Sequence, residues 1–263
     1  MLVNYQWQII LQKHKIKIDY WYTLKNIFIG YFYGFITPGG FGAYLRAYYL
    51  KGKTNETLQK CTVNIILFNT VDYISLLILG LTGAFIISSR IQHLLPIIIA
   101  LFLVIIILTI TLLRADTGKK LFQRVLETRL LSTIKDKWSI HLDEIYNDLP
   151  GFKDLTPSLI ISLIGWVIWI TILYLIAMVI FHIQVSYLIF FAVISVTNIL
   201  ASIPVSIYGL GTREAALIGL FALYNVEPEK ALAFSIYWFI LSWLIPSIIG
   251  AAVTLHEGAI KKE

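Results

Sequence analysis

Ile203-Pro204-Val205-Ser206-Ile207-Tyr208-Gly209-Leu210-Gly211-Thr212-Arg213-Glu214 interrupts the chain between two apolar runs, Tyr187 to Ser202 and Ala215 to Tyr224. A Pro/Gly break, an arginine and a carboxylate therefore lie between two segments that each read as membrane-embedded. Unpaired backbone groups are costly in hydrocarbon, so such a break is tolerated only where protein buries it or it lines a wet cavity. Ionisable residues at that depth are functional candidates by default.

Composition agrees with a membrane setting. Hydrophobic residues make up 58% of the 263 and charged residues 14%, against about a quarter charged in soluble domains. The mean hydropathy is +0.80. The apolar runs are too many and too internal to be a cleaved leader. Cys61 stands alone, so neither an internal disulfide nor a thiolate metal site is expected. The net charge of +6 is better explained by membrane topology than by nucleic acid. The five histidines are scattered, without the helical pairing of a zinc site. There is no Walker A sequence and no Gly-x-Ser-x-Gly elbow. The expectation is a non-enzyme with no cofactor, no metal and no direct use of ATP.

Outward from the break, the chain reads as an all-α, polytopic helical bundle. Met1 to Tyr22, with Trp7 and Lys13, Lys15 and Lys17, suits the membrane interface. Thr23 to Ile36 is apolar but short of the roughly 20 residues a span needs. It ends at Pro38-Gly39-Gly40-Phe41-Gly42, and Ala43 to Leu50 follows with Arg46 inside. Cys61 to Leu81 reads as a span carrying Asn64, Asn69 and Asp72; Leu94 to Leu113, Leu159 to Phe181 and Ala231 to Val253 read as further spans. Arg114 to Thr156 has apolar residues at helical spacing and reads as an amphipathic helix on or under the bundle.

The two ends repeat one order: short apolar run, Pro/Gly break, arginine, second short run, polar link, full span. Paired, interrupted segments of this kind point to a transporter-like site. The expected division is a first repeat half over 1–113, a cytoplasmic loop over 114–156 and a second half over 157–263. If both breaks are re-entrant hairpins, three spans lie between them and the repeats are inverted. Of 21 Lys and Arg, only Arg90, Arg213 and Lys230 then fall on the far side. The positive-inside rule favours that arrangement, with the long loop cytoplasmic and the protein multi-pass in the cell membrane.

Pro38 through Leu50, Asp72 in its helix, and Pro204 through Ala216 with Asn225 through Ala233 resemble the lysylphosphatidylglycerol synthase transmembrane-region family. The resemblance implies a flippase-like, stand-alone unit that handles lipid, with an anionic or aminoacylated phospholipid as the expected substrate; the alternative reading is a membrane accessory subunit that docks a separate aminoacyl- or glycosyl-transferase through Arg114 to Thr156. Departures are Ala43 where members commonly carry glutamate, and Phe68 and Asn69 where an arginine is usual before the aspartate. The arginine usual in the last span has no counterpart near Tyr237 to Phe239. Members also usually carry one or two spans upstream of the region matching Trp7.

The residues expected to carry substrate are Arg213, Glu214, Arg46, Asp72, Gly209, Gly211, Pro204, Pro38 and Gly42. Arg213 begins a short helix, where the dipole already favours an anion, and its guanidinium suits a phosphate. The competing reading pairs Arg213 with Glu214 or Glu227 to hold the hairpin shut. Glu214 suits either a headgroup amine or helix-start capping. Arg46 is placed like Arg213 but nearer the basic surface, where arginines also snorkel. Asp72 needs a partner, and Arg46 or Arg213 is the expected one. Gly209 and Gly211 are expected to permit turns closed to other residues.

Overall fold

The structure, a computed structural model, describes residues 1–92, 150–202 and 209–260, with scattered positions between 96 and 107. The expected span Leu94 to Leu113, most of the amphipathic stretch Arg114 to Thr156, and Pro204 lie outside the described residues. Every regular element within them is helical.

Helix α1 (Leu2–Lys13) leads to α2 (Tyr20–Phe35), whose start is capped by Asp19 accepting from the Trp21 and Tyr22 N–H groups. A 3-10 helix, Pro38–Leu45, and α3 (Arg46–Lys51) complete the first broken segment. Helix α4 (Leu58–Ile86) follows. After the undescribed region come α5 (Phe152–Val179), α6 (Tyr187–Ala201) and α7 (Thr212–Ala222). Helix α8 (Pro228–Phe239) continues through a π-helical turn, Ile240–Leu244, into α9 (Ile245–Ile260). Among the described residues, three stretches are long and apolar enough to cross a membrane: Leu58–Ile86, Lys153–Val179 and Pro228–Glu257.

Each broken segment doubles back on itself. In the first, the Tyr22 hydroxyl at the start of α2 donates to the Tyr49 carbonyl near the end of α3 at 2.9 Å. Lys53 Nζ, just beyond, sits 5.6 Å from the Tyr22 ring centre. In the second, Phe190 near the start of α6 packs on Phe221 near the end of α7, ring centres 5.9 Å apart. Start and end of each segment thus share one mouth.

The two mouths lie at opposite ends of the long helices. Helix α4 starts by the first, where Thr54 Oγ1 lies 3.9 Å from Cys61 Sγ. Beyond its far end Arg90 stands over the Tyr224 ring at 5.9 Å, beside the second. The α8–α9 rod runs the other way: it begins just after Tyr224 and brings Glu257 to 3.8 Å from Lys25 at the first mouth. At 1.5 Å per residue each rod is about 45 Å long, more than the ~30 Å hydrocarbon core.

Packing crosses between the halves. Helix α6 packs mainly on α4, and α2 mainly on α9. Both contacts are close because glycines face them. A Cβ on Gly83 would meet the Ala192 carbonyl at 2.8 Å, and one on Gly80 would run into Ile199. One on Gly250 would run into the Phe28 carbonyl. Small residues at such crossings let helix backbones approach where no hydrophobic force drives them together. The spacing also matches. Arg46 follows Tyr20, and Arg213 follows Tyr187, by the same 26 positions; Gly80 follows Leu58, and Gly250 follows Pro228, by the same 22.

Helix α1 packs one face into the bundle. Trp7, Ile10 and Leu11 are fully buried, and Trp7 Nε1 donates to Asn64 Oδ1 on α4 at 2.8 Å. Ser158 Oγ on α5 donates to the Gln6 carbonyl at 3.3 Å. A buried indole N–H needs such an acceptor.

Candidate functional site: two buried arginines

The arginines that follow the two breaks both lie inside the protein, Arg46 5% and Arg213 2% exposed. Burying a guanidinium is costly unless its charge and its five N–H groups find partners. The two segments solve this in related ways.

Arg213 sits in the first turn of α7. One terminal nitrogen donates to Glu214 Oε1 at 2.6 Å, and Nε donates to Ser235 Oγ on α8 at 3.1 Å. Ser235 in turn donates to the same Glu214 oxygen at 2.8 Å. The other carboxylate oxygen accepts the Gly211 N–H at 2.5 Å, closing the start of the helix. Glu214 therefore caps α7 and neutralises Arg213 together. The Arg213 Cζ also lies 5.5 Å from the Trp238 ring centre and 5.3 Å from that of Phe239. The ion pair with Glu214, one of the readings the sequence leaves open, is present.

Arg46 stands where the 3-10 helix becomes α3. Its Cζ lies 4.8 Å from the Trp7 ring centre and 5.2 Å from that of Phe68, so two aromatic faces flank it. A terminal nitrogen donates to Asn69 Oδ1 on α4 at 3.5 Å, and Asn69 donates to the Tyr44 hydroxyl at 3.3 Å. Asn26 Nδ2 donates to the Arg46 carbonyl at 3.3 Å. This side chain does not snorkel.

Asp72 corrects an expectation. Its Oδ1 accepts from Ser162 Oγ at 2.9 Å and from Trp166 Nε1 at 3.0 Å, both on α5. The expected partners were Arg46 or Arg213. The helical rotation of α4 turns Asp72 toward α5 and leaves Asn69 facing Arg46. Asn64 and Asn69 bridge helices, whereas the buried amide nitrogen of Asn198 has no partner among the described residues.

The glycines do what their type suggests. Gly209 and Gly211 have φ of +76° and +88°. A Cβ on Gly209 would also press on Ala201, at 2.9 Å from its Cβ, whereas Gly211 faces open space. At the first break Gly40 has φ of +73°. Gly42 donates its N–H to Thr37 Oγ1 at 2.7 Å, so close to α2 that a Cβ would strike the Tyr33 carbonyl. Pro38 opens the 3-10 helix, where a missing N–H costs nothing.

Two features were missed. The first is Phe239, whose ring touches Phe35 at the end of α2 (centres 6.0 Å apart) as well as Arg213. A single aromatic residue thus joins the two breaks. The second is the π-helical turn directly after it, a rare form often found at functional sites. No sequence signal marks that turn, but Ser235 and Ser162 are polar positions in apolar helices and were visible as such. Among the described residues no group of His, Cys, Asp and Glu is arranged to hold a metal.

Comparison with known proteins agrees with the motifs. A family model described as the lysylphosphatidylglycerol synthase transmembrane region matches residues 1–250. A UPF0104 membrane protein of Methanocaldococcus jannaschii is 27% identical over 225 residues, covering 82% of this chain and 90% of that protein. No solved structure matches the chain.

Proposed function

The chain belongs to the lysylphosphatidylglycerol synthase transmembrane-region family, and from that premise we propose that it moves a phospholipid or lipid-linked headgroup between leaflets without ATP. The observation that carries this reading is the pair of doubled-back segments with mouths at opposite ends of α4 and α8–α9, each holding a buried arginine beyond its break. In a bilayer such segments are re-entrant hairpins entering from opposite faces, related as an inverted repeat. The first mouth, ringed by Lys25, Lys51 and Lys53, faces the cytoplasm.

A phosphodiester carries one negative charge that hydrocarbon rejects, while its acyl chains are at home there. Arg46 and Arg213 offer that charge two successive stations, one from each side, with Phe239 between the breaks. At the second station phosphate competes with Glu214 for Arg213, and Ser235 holds the carboxylate once it is displaced. Charge-assisted, bidentate geometry favours guanidinium for this exchange. Asp72, held by Ser162 and Trp166, keeps α5 seated against the span that carries Asn69.

Leaflet exchange tests the reading. The purified protein is reconstituted in vesicles with a headgroup-labelled phospholipid, and label accessible to an external quencher is followed. Exchange well above that of empty vesicles, slowed in Arg213→Gln, is expected; a folded sample that exchanges no faster than empty vesicles contradicts it.

A further inference from the structure

Three tyrosine hydroxyl-bearing residues line the first hairpin and play no part in the arginine sites. Tyr22 and Tyr33 lie on one face of α2, since eleven residues bring a helix back to nearly the same angle. Tyr49 on α3 fills the gap between them. Its carbonyl accepts from the Tyr22 hydroxyl at 2.9 Å, and its own hydroxyl bonds that of Tyr33 at 3.1 Å. The three side chains are half-buried, so the line is open along one edge. Lys53 stands over the Tyr22 ring at the outer end, where Lys25 pairs with Glu257 at 3.8 Å. At the inner end the Tyr33 carbonyl accepts from Thr37 Oγ1 at 2.8 Å, and Thr37 holds Gly42 in the turn.

The surroundings of this line are apolar. Ile36, Phe41, Leu45 and Tyr48 at the tip of the hairpin are exposed, Phe41 by 70%. In a bilayer those side chains meet acyl chains, and a half-open row of hydroxyls beside them offers hydrogen bonds where lipid offers none. From Tyr22 to Tyr33 the rise is about 16 Å, roughly half the hydrocarbon thickness.

We infer that the Tyr22, Tyr49 and Tyr33 hydroxyls form the track along which a phosphate-bearing lipid headgroup moves from the lysine-lined mouth to the first turn, its acyl chains remaining in the bilayer. Lysine ammonium groups at the mouth draw the anion in. Inside, phosphate oxygens accept hydrogen bonds from hydroxyls that otherwise bond Tyr49. The inference rests on the translocation reading but adds where the headgroup travels.

The full chain is reconstituted in phosphatidylcholine vesicles containing labelled phosphatidylglycerol, and Tyr33→Phe is compared with the wild type and with Tyr5→Phe, an exposed tyrosine on α1. Exchange about tenfold slower in Tyr33→Phe, with melting temperature kept and Tyr5→Phe unchanged, is expected from the loss of one hydrogen bond to a charged group. Tyrosines that only clip α2 to α3 give the opposite pattern, a lower melting temperature with no loss of rate in folded protein, and that overturns the track. A second measurement needs no variant: phosphatidylglycerol with a photoreactive headgroup is irradiated with the wild-type protein and adducts are mapped. Adducts on Tyr22, Tyr33 or Tyr49 support the track, and adducts confined to other surfaces overturn it. If the wild type exchanges lipid while Tyr33→Phe matches it, the track fails and translocation stands; if the wild type exchanges none, both fail.

Discussion

The two broken segments share a backbone plan and differ in the residue that follows the buried arginine. Beyond each break the arginine is buried, flanked by two aromatic rings and hydrogen-bonded to a polar residue of the following rod, Asn69 or Ser235. The residue after Arg213 is Glu214, which supplies a full countercharge at 2.6 Å. The residue after Arg46 is Ala47, buried and apolar. The second segment therefore resembles a closed ion-paired latch, whereas π faces and an amide supply the contacts seen at the first. Geometry set by glycine and helix crossing is common to both; the residue that follows the arginine, Ala47 or Glu214, is where they diverge.

The largest effect that sharpens this contrast is expected from Arg213→Ala. It leaves a mostly buried Glu214 without its cation and is expected to cost about 3–5 kcal/mol. Thermal unfolding in detergent measures it. Arg213→Ala with Glu214→Ala is expected to be less destabilised than Arg213→Ala alone, because no uncompensated charge remains. A double variant as unstable as the sum of the singles would break the latch description.

Next come the turn glycines of the second segment. Gly209→Ala combines positive-φ strain with pressure on Ala201 and is expected to cost about 2 kcal/mol or more; Gly211→Ala carries only the strain, about 1 kcal/mol. Equal losses in the same unfolding measurement would show that Ala201 yields freely.

The smallest effect is expected from Arg46→Lys. The charge stays, but the planar group stacked between Trp7 and Phe68 is lost, at about 1 kcal/mol. A cost as large as that of Arg213→Ala would mean that the first arginine also depends on a tightly paired acceptor.

Much of the architecture was legible because its signals are local. The Pro/Gly breaks, the apolar runs of α4, α5 and α8–α9 and the positive-φ glycines each follow from a few adjacent residues. Asp72 was misassigned because its partners depend on which way α4 turns, and that rotation is set by packing ninety residues away on α5. The burial of Trp7 was not legible, because its acceptor, Asn64, lies 57 residues further along the chain. The cross-packing of α2 on α9 and α6 on α4 left only Gly80, Gly83 and Gly250 as traces, and glycines in apolar helices have many uses. The π-helical turn after Phe239 left no trace.

The central claim is that the mouths of the two segments open on opposite sides of the membrane. In a Cys61→Ala background, Lys17→Cys and Lys53→Cys report the first mouth, and Gln184→Cys and Glu229→Cys the second. Sealed vesicles of known orientation are treated with a membrane-impermeant thiol reagent. The expected result is that the first pair labels from one side only and the second pair from the other. Labelling of Lys17→Cys and Lys53→Cys from opposite sides, or of all four from the same side, would contradict the claim.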